Sequence, residues 1–156
     1  MINKMMLTED IHFRSMQVHD LPAVARLENT CQNVPWPMWC FRRMLRTHAA
    51  CWILETGSEL IGFGIVRMED DRAHIMNMCV SPAWRHRGLG RRILLQLLST
   101  ARKKHARSAW LEVRKDNHDA ILLYRKQGFR ARLIRKHYYL TRRGRQHAIV
   151  MMRKVK

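Results

Sequence analysis

The sequence predicts one α/β domain, a single sheet with helices packed on its faces, and three observations predict it. The 156 residues, 47% of them apolar, suffice for one hydrophobic core. Short strand-like runs and longer segments with helical spacing follow one another in the order β α α β β β α β α β β. Only 7 Gly and 4 Pro are present, and they punctuate these segments rather than forming linkers, repeats or low-complexity tracts.

Each element has its own signal. Ile11-His12-Phe13-Arg14-Ser15-Met16 alternates and predicts a first strand. Asp20-Leu21-Pro22 opens a helix to about Thr30, with Asp20 as N-cap and Pro22 in the first turn. Pro35 and Pro37 make 33–37 a loop, and a short helix follows over 39–47. Residues 51–55 and 60–66 flank Thr56-Gly57-Ser58-Glu59 as a hairpin. Glu69-Asp70-Asp71-Arg72 is a second turn, leading to a strand over 73–80. A long helix is expected over about 89–106 and a buried strand over 109–113. The next helix holds Ala120, Ile121, Leu123 and Tyr124, is capped by Asn117 or its polar neighbours, and stops near Gly128. Alternation returns through 131–134, and 148–152 reads as the closing strand.

Composition narrows the function classes. No apolar run reaches the ~18–20 residues of a membrane span, and MINKMMLTED lacks a signal-peptide core, so the expectation is a cytoplasmic protein without membrane contact. Cys31, Cys40, Cys51 and Cys79 show no C-x-x-C spacing and read as reduced, mostly buried thiols, with no metal site. Charge is divided unevenly. Residues 1–80 hold 8 Lys/Arg against 9 Asp/Glu, whereas residues 81–156 hold 22 against 3. The second half therefore suits polyanions, and RNA or ribosome contact is expected alongside any phosphorylated ligand.

The densest signal is NMCVSPAWRHRGLGRR, residues 77–92. A strand, a glycine-punctuated basic turn and a helix start in succession make an anion site, because orphan amides and the positive helix end point outward together. Gly88 and Gly90 let a phosphate approach the backbone, and Arg85, Arg87, Arg91 and Arg92 add charge. Neither a P-loop nor a dinucleotide fingerprint is present.

Arg85-His86-Arg87-Gly88-Leu89-Gly90 matches the Gln/Arg-x-x-Gly-x-Gly/Ala signature, and the chain resembles the GNAT acetyltransferases. More narrowly it is similar to the RimI-type enzymes, which acetylate the N-terminal alanine of a small-subunit ribosomal protein. Asp20-Leu21-Pro22, Pro35-Trp36, Trp110-Leu111-Glu112-Val113-Arg114, Asn117, Ala120-Ile121, Leu123-Tyr124, Gly128-Phe129, Tyr138-Tyr139 and Gly144-Arg145 carry that likeness. The resemblance implies a mixed, mostly antiparallel sheet splayed between its middle strands, and acetyl-CoA as co-substrate without a metal. It implies that Met78, Cys79 and Val80 offer backbone groups to the pantetheine arm, as an added strand would. Arg85, His86, Arg87, Gly88, Leu89, Gly90 and Arg91 would cradle the pyrophosphate, and Asn117 would touch the cofactor. Glu112 matches the general base and Tyr124 the general acid. Trp36, Tyr138 and Tyr139 fall where the peptide channel is lined.

The chemistry agrees with those roles without requiring them. Glu112 is the only Glu of the basic half and sits between Leu111 and Val113, but its residue type equally fits a salt bridge to Arg114 or Arg91. Tyr124 lies two helical turns after Asn117 and also fits an apolar face with Ile121. Strand alternation would send Tyr138 and Tyr139 to opposite faces, leaving one for the substrate. Cys79 reads as a packing residue rather than a nucleophile, so direct attack by the amine is expected. Gln146-His147 departs from the resemblance, which has an acidic pair there, and this bears on peptide selectivity. Glu28, Glu69, Asp70 and Asp71 are the remaining acids that could line the approach of a basic peptide. A lysine or small-amine acceptor, and a non-catalytic RNA-binding module, are the other readings.

Overall fold

The protein, described by a computed structural model over residues 10–141 and 143–156, folds around one seven-stranded sheet of order β1-β2-β3-β4-β5-β7-β6. The N-terminal reading thus falls partly in residues 1–9, outside the described residues. The strands are β1 (Ile11–Ser15), β2 (Ala50–Thr56), β3 (Glu59–Glu69), β4 (Arg72–Val80), β5 (Ser108–Arg114), β6 (Arg130–Thr141) and β7 (Gly144–Lys154). The helices are α1 (Leu21–Cys31), α2 (Met38–Arg46), α3 (Leu89–Lys103) and α4 (His118–Lys126). Their order is the one the apolar periodicity predicts. All strand pairs are antiparallel except β4 with β5, so the sheet is mixed and open.

Two apolar layers sandwich the sheet. Ile93, Leu94, Leu97 and Leu98 of α3 recur at helical spacing and pack with Ile121 of α4 and Phe129 on one face. Val24 and Leu27 of α1 and Phe41 and Met44 of α2 cover the other, against Phe63 and Ile65 of β3. A Cβ on Gly64 would stand 2.6 Å from Ile93 Cγ2 and 3.1 Å from Leu97 Cδ1, so this glycine sets how closely α3 lies on β3. Gly64→Ala is expected to lower stability by about 1–3 kcal/mol through overpacking. A thermal midpoint equal to that of the wild type would show that α3 moves aside freely.

Three local readings are corrected. Asp20 does not cap α1 with its side chain; it accepts both 2.7 Å bonds of the Arg14 guanidinium and one from the Gln17 amide. The Arg14 bonds hold its carboxyl below the usual range despite burial. β6 is far longer than the alternation at 131–134 suggests, because almost every residue of this edge strand is exposed and no buried face imposes a period. Cys31 and Cys79 are not free thiols. They are disulfide-bonded, 48 residues apart with Cα atoms 6.1 Å apart, and tie the last turn of α1 to β4, while Cys40 and Cys51 are free. Sequence spacing shows nothing of this pair, since only the packing of α1 across the sheet brings its ends together.

Candidate active site

β4 and β5 hydrogen-bond only over Arg72–Ile75 and Ser108–Leu111. Beyond that point they splay, and a cleft of about 560 Å³ opens between them. A bulge produces the divergence: β3 pairs Ile65 with Asn77 and then Val66 with Ile75, leaving Met76 as the extra residue. The extra residue also exchanges the faces of β4. Ala73 and Ile75 point to the α3 side, whereas Cys79, three pairs further on, packs against the α1 and α2 side. From Met76 to Val80 the edge of β4 turned toward β5 has no strand partner, and it forms one wall of the cleft.

The end wall is the turn after β4. Gly88 takes a left-handed φ of 77° as N-cap of α3 and makes no side-chain cap, so the first amides of the helix are left for an external acceptor. His86, Gly88, Leu89 and Gly90 line the cleft here. The arginines of the motif differ in placement, and Arg85 is the one that lines the cleft. Arg85 folds back, donating Nε to the Val80 carbonyl at 3.2 Å and Nη2 to Cys31 Sγ at 3.6 Å. Arg87 stacks on Trp84 at 4.6 Å, and neither Arg87 nor Arg91 is among the lining residues. Arg92 reaches the Ile11 carbonyl.

The opposite wall comes from β5, α4 and β6. Glu112 and Tyr124 both line the cleft, with Asn117 at the start of α4. The Asn117 side-chain oxygen accepts from the Ala120 amide, which caps α4 and leaves its NH₂ for other partners. Glu112 pairs with neither arginine that residue type allowed; Arg114 turns to Asp116 at 3.3 Å. Glu112 Oε1 instead lies 3.7 Å from His74 Nε2, and Oε2 is buried with no hydrogen-bond partner. An orphaned carboxylate oxygen costs stability, so its presence in a cleft points to an external partner. Burial pushes the Tyr124 hydroxyl up to about 12, which keeps it protonated across the neutral range.

Tyr138 and Tyr139 are not parted by the strand pleat. A bulge between Arg135 and Tyr139, with His137 at a φ of 54°, breaks the alternation, and the two rings meet edge to face at 5.2 Å. Tyr139 lines the cleft and Tyr138 does not. Both hydroxyls are pushed up, by burial first and then by the facing Glu112 carboxylate. Trp36 also lines the cleft, packed on Phe41 at 5.4 Å. Glu28 is fully buried and accepts from Asn77 at 2.6 Å, so it does not line an approach from solvent.

Residues 21–129 match the acetyltransferase (GNAT) family. The chain belongs to that family. It is accordingly an acetyl-CoA-dependent acetyltransferase with the mixed, open GNAT sheet. The chain is 34% identical over 137 residues to the ribosomal protein bS18-alanine N-acetyltransferase of Escherichia coli K12, covering 88% of this chain and 93% of that one. The Haemophilus influenzae enzyme of the same name is 31% identical, with 85% and 90% covered. The crystal structure of the Escherichia coli S18-alanine N-acetyltransferase superposes with a TM-score of 0.88 at 32% identity, covering 94% of each chain. Ard1 of Thermoplasma volcanium, at 24% identity and a TM-score of 0.85, shares the fold. Among the described residues no group of His, Cys, Asp and Glu is placed to hold a metal, and no helix is long and apolar enough to cross a membrane.

Proposed function

We propose that this enzyme acetylates the N-terminal amine, with alanine first, of a small-subunit ribosomal protein equivalent to bS18. The similarity to the bS18-alanine acetyltransferases along nearly the whole of both chains carries this reading. Acetyl-CoA supplies the activated acetyl group when bound. The unpaired edge of β4 around Met78, Cys79 and Val80 offers main-chain partners to its extended arm, though the Val80 carbonyl is already engaged by Arg85. The α3 amides and Gly88 suit its pyrophosphate, with Arg85 and His86 beside them and Arg87 and Arg91 acting from outside the lining. Asn117 lines the same groove, its NH₂ not used by the cap of α4.

Glu112 takes the amine proton through Oε2, the oxygen without a protein partner. An α-amine has a pKa of ~8 against ~10.4 for lysine, so presenting it neutral takes about 3 kcal/mol less. A single carboxylate suffices for that task. Tyr124 is the hydroxyl that faces the departing sulfur. With a pKa of about 12 it acts as a hydrogen-bond donor. A discrete proton transfer to a thiolate of pKa ~8.5 would run uphill by roughly 5 kcal/mol, so the proton moves together with the one leaving nitrogen. Trp36 and Tyr139 line the peptide entrance, and Tyr138 packs edge to face against Tyr139 from outside the lining. Gln146, the register partner of Tyr139, puts a neutral group beside those rings where an acid would grip a cationic peptide.

The surplus positive charge lies mostly outside this cleft. Arg130, Arg132, Arg135 and Lys136 are exposed on β6, a placement that suits ribosomal RNA around the acceptor. Turnover should be measured on peptides beginning with Ala, Ser and Met and on internal lysines. Preference for the Ala peptide is expected, and turnover confined to lysine would overturn the reading.

A further inference from the structure

We propose that His74 is a positioning residue behind Glu112, and that it takes over and holds the proton Glu112 removes from the acceptor amine. This rests on Glu112 being the base. His74 is outside the cleft lining, on the face of the sheet that it shares with Trp110 and Glu112 of β5 and Arg67 and Glu69 of β3. Its ring stacks on Trp110 at 3.7 Å with planes 10° apart, which fixes both nitrogens. Nδ1 then lies 3.3 Å from Glu69 Oε1, and Nε2 lies 3.7 Å from Glu112 Oε1.

One imidazole between two carboxylates has room for one more proton. Burial, the largest influence, together with Arg67 lowers its pKa more than Glu69 and Glu112 raise it, so the ring is neutral at neutral pH. In either tautomer one lone pair then faces a carboxylate oxygen. Arg67 Nη2 sits 2.6 Å from Glu69 Oε1 and, with burial opposing, holds that carboxyl low. Glu69 therefore stays anionic and accepts Nδ1–H, leaving the Nε2 lone pair toward Glu112. The 3.7 Å gap is too long for a hydrogen bond now, and it becomes one when Oε1 carries a proton. The cluster of Arg67, Glu69, His74 and Glu112 goes from a net charge of about −1 to 0 on that event.

The proton count leaves one proton for such a holder. Acetylating an ammonium ion forms the nitrogen–carbon bond and breaks the carbon–sulfur bond. One of the two protons lost by nitrogen ends on the thiol and the other is left over. That second proton, taken up on Oε2, reaches the Oε1 position when the carboxyl turns over, passes from there to His74 Nε2, and returns through Glu112 to water when the cleft empties.

The test is the pH profile of kcat/KM on an alanine-initiated peptide for wild type, His74→Phe, which keeps the stack on Trp110, and His74→Gln. Both variants are expected to lose about tenfold at pH 7, the ratio of protonated to neutral amine there, and to approach wild type near pH 9.5, where the amine arrives neutral. An equal deficit at every pH, or none, would overturn the proposal. A second measurement follows the His74 ring nitrogens by NMR in wild type and Glu112→Gln. The His74 pKa is expected to fall in the variant, and an unmoved value would overturn the coupling. A wild type inactive on the peptide defeats the acceptor reading alone, and the NMR titration then decides for His74.

Discussion

Glu112→Gln is expected to lower kcat/KM by about a hundredfold or more at pH 7 while leaving the protein as stable as the wild type or more so. Glutamine keeps the size of the side chain but cannot accept the proton, and a positioned base contributes typically 10²–10⁴-fold. The lower part of that range applies, because an α-amine of pKa ~8 needs only about 1.4 kcal/mol to present itself neutral at pH 7. Stability moves the other way because Oε2 is buried and unpartnered, and removing the charge relieves that penalty. Opposite movement of activity and stability is the signature of a functional group held at a structural expense. Steady-state kinetics and a thermal melt check both halves. Turnover within about threefold of wild type would make water the base and Glu112 a packing residue.

Breaking the Cys31–Cys79 bridge is expected to cost up to about 4 kcal/mol. The bond closes a loop with its ends 48 residues apart, and loop-closure entropy at that length gives this magnitude. For a domain of this size the thermal midpoint should drop by roughly 10 °C on reduction. Cys79→Ala should show the lower midpoint with or without reductant. Titration of the denatured, unreduced protein should find two thiols, those of Cys40 and Cys51, and four after reduction. Equal midpoints with and without reductant in the wild type would show that packing of α1 on β4 alone holds the ends together.

Much of this protein is legible along the chain. Apolar spacing determines the eleven elements and their order, since helices and strands bury one face with periods that survive in sequence. Residues 77–92 by themselves predict an anion site, because a strand, a glycine turn and a helix start follow one another locally, and the structure shows that order with Gly88 at a positive φ. The resemblance, not periodicity, is what points to Glu112 and Tyr124 as catalytic, since periodicity fits them equally as a salt-bridge partner and a core ring.

What only the tertiary structure decides depends on residues distant in sequence. The Met76 bulge opens the cleft and exchanges the faces of β4, and no local pattern marks it, because every second residue of β4 is buried on both sides of the bulge. The disulfide, the bond from Arg85 to the Val80 carbonyl, and the meeting of Tyr138 with Tyr139 arise the same way. His74 went unremarked among nine histidines because its meaning lies in Glu69, Trp110 and Glu112, up to 38 residues away along the chain and adjacent only across three strands. Local pattern records which face a residue turns to the core. Which partner waits on that face is a property of the pairing between strands.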